Sequence, residues 1–136
     1  MIEKGILNPQ ILSLLARVRH TNLLVISDRG FPYWPMIETV DLSLVDDIPT
    51  VLQVFQAIQS NFEISEIFMA EEFIQANPPA VRKAFAKATS QIPLHYQTHA
   101  DLKKQIPGAI GLIRTGDTIQ YANMVLVSGP PDPEKA

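Results

Sequence analysis

Apolar positions along the chain alternate between helical spacing and short continuous runs, so the fold is read from that alternation first. Asn8-Pro9 has the form of a helix cap followed by a first-turn proline, and Ile11, Leu15 and Val18 then recur at helical intervals. The pattern predicts a helix that ends near His20. Leu23-Leu24-Val25-Ile26 follows as a continuous run rich in branched side chains, which suits a strand buried on both faces of a parallel sheet. Residues 38–42 form a second extended segment, and Val51, Phe55, Ile58 and Phe62 mark one face of a helix. Residues 64–69 read as another strand, after which Asn77-Pro78 opens a helix carrying Val81, Phe85 and Ala88. A short strand is expected at 94–97. Thr98-His99-Ala100-Asp101 then fits a capping box that places His99 in the first turn of a short helix. Residues 109–114 and 124–127 close the chain as strands. Alternation of this kind predicts an α/β fold, a single three-layer domain with a largely parallel central sheet and helices on both faces.

Composition bounds this picture without changing it. The chain has 136 residues, 46% hydrophobic and 18% charged, the size and balance of one globular domain. That domain is expected over residues 1–129. Residues 130–136 are rich in proline and charge, with nothing apolar to bury, and are expected to be disordered. A net charge of −3, with eleven Lys and Arg scattered along the chain, offers no basic stripe for a nucleic acid or an anionic membrane. The absence of cysteine excludes disulfides, thiolate catalysis and cysteine-ligated metal centres. The start lacks the basic-then-apolar pattern of a secretory signal and no run reaches membrane-spanning length, so a cytoplasmic location is expected.

Residues able to carry chemistry are few. His20 stands between a helix end and a buried strand, and Asp28 follows that strand's carboxyl end, where open α/β sheets place ligands. Both are expected to face one cleft if they act together. Taken alone, His20 also reads as an imidazole on the last carbonyls of a helix, and Asp28 as a turn residue. His99, at a helix start, is disfavoured as imidazolium, and a neutral ring both donates and accepts. Residues 28–35 combine turn-formers with three aromatics, which marks a candidate site loop. Tyr121-Ala122-Asn123 offers a phenol and an amide suited to sugar hydroxyls, as well as ordinary turn chemistry. His95 has no evident companion. Glu71-Glu72 reads as solvated surface with one member structural, since no second ligand stands at a metal-like interval. The glycines form neither a phosphate loop nor a dinucleotide fingerprint.

Gly5-Ile6-Leu7-Asn8, His20-Thr21, Asp28 with Gly30 and Pro32, and Asp41-Leu42-Ser43-Leu44 follow one another in order. Ala70-Glu71-Glu72, Thr98-His99, Ile113-Arg114-Thr115-Gly116 and Tyr121-Ala122-Asn123 continue the series over nearly the whole chain except the tail. This series resembles the D-ribose pyranase and L-fucose mutarotase family, and its Asn8 start and Tyr-Ala-Asn form lean toward the ribose pyranase branch. The resemblance implies an isomerase that interconverts the pyranose and furanose forms, or the anomers, of a free aldose. His20 would be the catalytic acid, and Asp28, His99, Tyr121, Ala122 and Asn123 would bind substrate, with Lys103 as a further contact. No metal or organic cofactor is expected, because opening a sugar ring needs only a base and an acid, and histidine titrates near 6.5. The resemblance also implies ring-shaped homo-oligomers, often decamers of stacked pentamers. The chain departs from the pyranase pattern at Arg29 and at Tyr33-Trp34-Pro35. Arg29 either pairs with Asp28 and withdraws it, or itself binds hydroxyls or an anionic substituent. Tyr33 or Trp34 either stacks on a sugar ring or packs at a subunit contact. The alternative function is a non-catalytic sugar-binding or regulatory subunit of the same fold.

Overall fold

A computed structural model describes residues 1–130. Helix α1 (Pro9–Arg17) opens as its sequence requires: the Asn8 side chain accepts the Ile11 N–H at 3.0 Å, and Pro9 takes the first turn. It stops at Arg17, earlier than expected, because Val18 leaves the helix into an extended conformation with ψ 132°. The remaining elements are β1 (Leu23–Ser27), β2 (Glu38–Asp41), α2 (Val51–Gln59), β3 (Ile64–Ala70), α3 (Glu71–Ala76), α4 (Pro79–Ala88), β4 (Leu94–Gln97), α5 (His99–Gln105), β5 (Ala109–Arg114) and β6 (Met124–Ser128). Every predicted strand is present. The short helix α3 was not expected, and Asn77 does not cap α4; its amide instead donates to the Phe73 and Gln120 carbonyls, both at 2.9 Å.

The six strands form one sheet in the order β2-β5-β1-β6-β3-β4. β2, β5 and β1 are mutually parallel, as are β3 and β4, while β6 runs antiparallel between the two groups. Buried side chains of α1, α2, α3 and α4 pack on one face with Leu24, Ile26, Ile67, Met69, Met124 and Leu126. Phe73 and Phe85 meet there at 4.7 Å between ring centroids. Leu102 and Ile106 cover the other face, against Val25, Leu112 and Val125, joined by Phe31, Trp34 and Ile37 from the loop after β1. The three layers and the largely parallel sheet are thus as expected. The expected disordered tail falls, from residue 131 onward, outside the described residues.

Two connections shape the carboxyl end of the sheet. Residues 43–49 fold back on the segment after β5, where Asp47 donates its N–H to the Gly116 carbonyl at 2.6 Å and Gly116 donates to Pro49 at 2.9 Å. Gly116 is required by that approach: a Cβ there would collide with the Val45 carbonyl oxygen and lie 3.0 Å from that of Ile48. Among the described residues, no helix is long and apolar enough to cross a membrane.

Candidate active site

A cavity of about 410 Å³ opens at the carboxyl ends of the parallel strands, where loops can present side chains without disturbing the sheet. Asp28, leaving β1, and Asn123, entering β6, are locked together: the Asn123 Oδ1 accepts the Asp28 N–H at 2.8 Å. The antiparallel placement of β6 beside β1 makes this possible, since the start of β6 then lies next to the end of β1. Asn123 is 2% exposed and is also hydrogen-bonded to the Asp28 carboxylate. That carboxylate accepts the Gly30 N–H at 3.0 Å, an Asx turn that fixes its direction. Burial raises the Asp28 pKa above 3.8; the Gly30 and Phe31 amides oppose the shift, and the neighbouring Asp117 charge adds to it.

His99 is the first residue of α5, whose start is capped by Thr98 accepting the Asp101 N–H at 3.1 Å. Its ring stands edge-on to Tyr121 at 5.1 Å and to Phe31 at 6.1 Å. Both oxygens of Glu72 accept the His99 N–H, at 3.0 and 3.1 Å, so the residue that carries the ring is held from behind. Burial lowers the His99 pKa below 6.5, and the Lys103 ammonium lowers it further, against a smaller opposing pull from Glu72. The ring is neutral at pH 7. Its Nδ1 is buried and has no hydrogen-bond partner among the described residues, so one ring nitrogen is uncommitted. Tyr121 completes this wall in a left-handed conformation, φ 57°, a strained choice for a bulky residue of the kind that accumulates at functional sites.

The structure therefore brings Asp28, His99, Tyr121 and Asn123 into one cavity, with Arg29 at its rim. Arg29 pairs with Asp46 at 2.9 Å, leaving Asp28 unclaimed. Ala122 contributes no side chain to the cavity, because it is fully buried in the helix-covered core. Lys103 is one helical turn behind His99 and acts on its charge without lining the cavity. Trp34 packs on Phe31 at 6.2 Å, and Tyr33, 76% exposed, borders a separate hollow beside Arg114. His95 has a companion after all: its Nε2 is 3.3 Å from a Glu66 oxygen, away from the cavity.

His20 does not share the cleft within one chain. It precedes β1 whereas Asp28 follows it, so a five-residue strand, roughly 15 Å, lies between them and puts the imidazole at the opposite end of the sheet. Its side chain is exposed there.

Asp117 was missed in the sequence. It is 1% exposed, and its carboxylate accepts the Val51 N–H at 2.9 Å and the Ile119 N–H at 2.8 Å, tying the start of α2 to the cavity wall. Its carbonyl accepts the Arg29 N–H at 3.1 Å. Glu72 is the structural member expected of the Glu71-Glu72 pair, though its place behind His99 was not foreseen. The one available signal was its place directly after a buried strand, at the same end of the sheet as Asp28.

Comparison with known proteins agrees with this architecture. The pattern of the RbsD / FucU transport protein family matches residues 1–131. A D-ribose pyranase of Pectobacterium atrosepticum is 33% identical over 136 residues, covering 95% of this chain and 98% of its own. One of Halalkalibacterium halodurans is 36% identical over 129 residues, with 95% and 98% covered. The structure of Bacillus subtilis RbsD complexed with D-ribose superposes with a TM-score of 0.88 at 29% identity, over 95% of this chain and 98% of that one. With sequence and fold matched over nearly its full length, the chain belongs to the RbsD / FucU transport protein family.

Proposed function

We propose that this protein is an isomerase that interconverts the pyranose and furanose forms of a free aldose, with D-ribose as the first candidate. The observation that carries the reading is the convergence of Asp28, a neutral His99, Tyr121 and Asn123 on one polar cavity. A carboxylate accepts from sugar hydroxyls, and the amide and neutral imidazole donate and accept, which together suit an uncharged polyol. Relatives named D-ribose pyranase, and a fold neighbour complexed with D-ribose, support the same class of ligand.

The reaction needs no electron or group to leave the sugar. A base removes the anomeric hydroxyl proton as the bond from the anomeric carbon to the ring oxygen breaks, and an acid protonates that oxygen. Attack by a different hydroxyl on the exposed carbonyl then closes the new ring, returning both protons. Positioned acid–base groups contribute about 10²–10⁴-fold, enough to matter for a reaction that already proceeds in water. Asp28, held by Gly30 and Asn123, orients the sugar through its hydroxyls, and His99 relays a proton or holds one in a hydrogen bond.

His20 serves as the acid from a second copy of the chain. Within one copy it stands at the far end of the sheet, so the amino end of a neighbour's sheet brings it to the cavity. A closed ring of identical copies, each giving its His20 to the next, satisfies every site with one repeated contact. The test is NMR exchange on equilibrated D-ribose: the wild type speeds pyranose–furanose exchange and Asp28→Asn does not. Saturable ribose binding without faster exchange would contradict the assignment and identify a sugar-binding subunit instead.

A further inference from the structure

His20 sits on an unusually constrained turn. Thr21 donates its N–H to the Ser128 carbonyl at 2.8 Å, and Ser128 donates in return to Asn22 at 2.9 Å. Asn22 donates to the Arg19 carbonyl at 3.1 Å while its side chain accepts the Arg19 N–H at 2.8 Å. These bonds hold Thr21 at φ 72°, a left-handed conformation that is strained for a β-branched residue. Such strain persists only where the surroundings over-determine it, and here it fixes the residue next to the imidazole.

The ring itself rests on Gly129. A Cβ built at that position would lie 2.7 Å from the His20 Cε1 and collide with Nδ1, and the glycine has φ 140°. Gly129 cannot retreat, since its N–H is bonded to the Glu63 carbonyl at 3.1 Å. An exposed histidine on a free surface needs no such seat. We propose that Gly129 is a positioning residue for His20: its bare α-carbon gives the imidazole a fixed berth at the amino end of β1, from which it is presented to a second copy's cavity. The inference rests on the reading that His20 is the acid.

The experiment compares Gly129→Ala, His20→Ala and the double variant with the wild type. Gly129→Ala is expected to lower kcat on D-ribose by roughly 10–100-fold, the cost of displacing a catalytic group by about an ångström, with KM unchanged because the binding residues lie at the other end of the sheet. Its His20 ring resonances move while those of His99 stay. Alanine at this φ is strained in any background, so the collision is isolated by the cycle: Gly129→Ala costs less stability when His20 is already alanine. A folded Gly129→Ala protein with wild-type kcat, or an equal stability cost in both backgrounds, would overturn the inference. In the wild type, nuclear Overhauser contacts between the His20 ring and the Gly129 α-protons are expected, and their absence also overturns it, whatever the variants do. Full activity in His20→Ala would instead overturn the underlying reading of His20 as the acid.

Discussion

Replacing Asp117 by alanine tests how the cavity wall is built. The carboxylate is buried and accepts two N–H groups, from Val51 at 2.9 Å and Ile119 at 2.8 Å, while only its main-chain carbonyl holds Arg29. Alanine keeps the carbonyl and deletes both side-chain acceptors. A buried donor left unpaired costs about 1–3 kcal/mol, so two cost roughly 2–6 kcal/mol, partly offset by removing a buried charge beside Asp28. A net loss near 3 kcal/mol lowers the Tm of a chain this size by roughly 10 °C, measured by circular dichroism at fixed protein concentration. Asp117→Asn, whose amide retains one acceptor oxygen, falls between the two. The same substitutions remove the charge that helps raise the Asp28 pKa, so the Asp28 carboxylate, followed by NMR, titrates at lower pH. An Asp117→Ala protein that melts within about 1 kcal/mol of wild type, or an Asp28 midpoint that rises, would refute the reasoning.

Other outcomes follow from the same geometry. Because burial raises the Asp28 pKa above 3.8, the unfolded chain ionises first and the folded state is penalised as pH rises past that value. Asp28→Asn should therefore melt higher than wild type at pH 7 while losing ribose exchange; a lower Tm would contradict the burial argument. His99 has the opposite sense: its depressed pKa means that stability falls as pH drops from 6.5 toward the folded value, where the unfolded chain takes a proton that the folded ring refuses. Glu72→Gln keeps an acceptor for the His99 N–H but removes a charge that favours the imidazolium, so the His99 midpoint in an NMR titration moves further down, and Lys103→Met moves it up. Arg29 and Asp46 are both more than half exposed, so breaking their pair with Asp46→Asn should change stability by less than about 1 kcal/mol in urea denaturation.

Much of the fold was legible because apolar periodicity reports burial directly. The runs at 23–26, 109–114 and 124–127 are buried on both faces in the structure, as continuous apolar strands must be. What a single strand does not encode is its direction, and the antiparallel β6, which joins Asn123 to Asp28, could not be read from its own residues. Helix α3 escaped because six residues give barely one and a half turns of pattern, and no side chain caps its start. The site was legible where local chemistry and position coincide: an Asx turn after a strand at Asp28, a capped helix start at His99. Asp117 was not, since an aspartate after Gly116 reads as a turn and its partner Val51 is 66 positions away. Within one chain the shared cleft expected for His20 and Asp28 fails on topology alone, because residues that precede and follow one strand lie at its opposite ends.

That separation makes the two-copy site directly testable. His20→Ala and Asp28→Asn are each expected to lose D-ribose exchange. When the two variants are mixed, dissociated and reassembled, some cavities with an intact Asp28 receive an intact His20 from a neighbour. For random association about a quarter of sites are then whole, and exchange measured by NMR returns to about that fraction of the wild-type rate. A mixture that stays as inactive as its two components would contradict a site built from two copies.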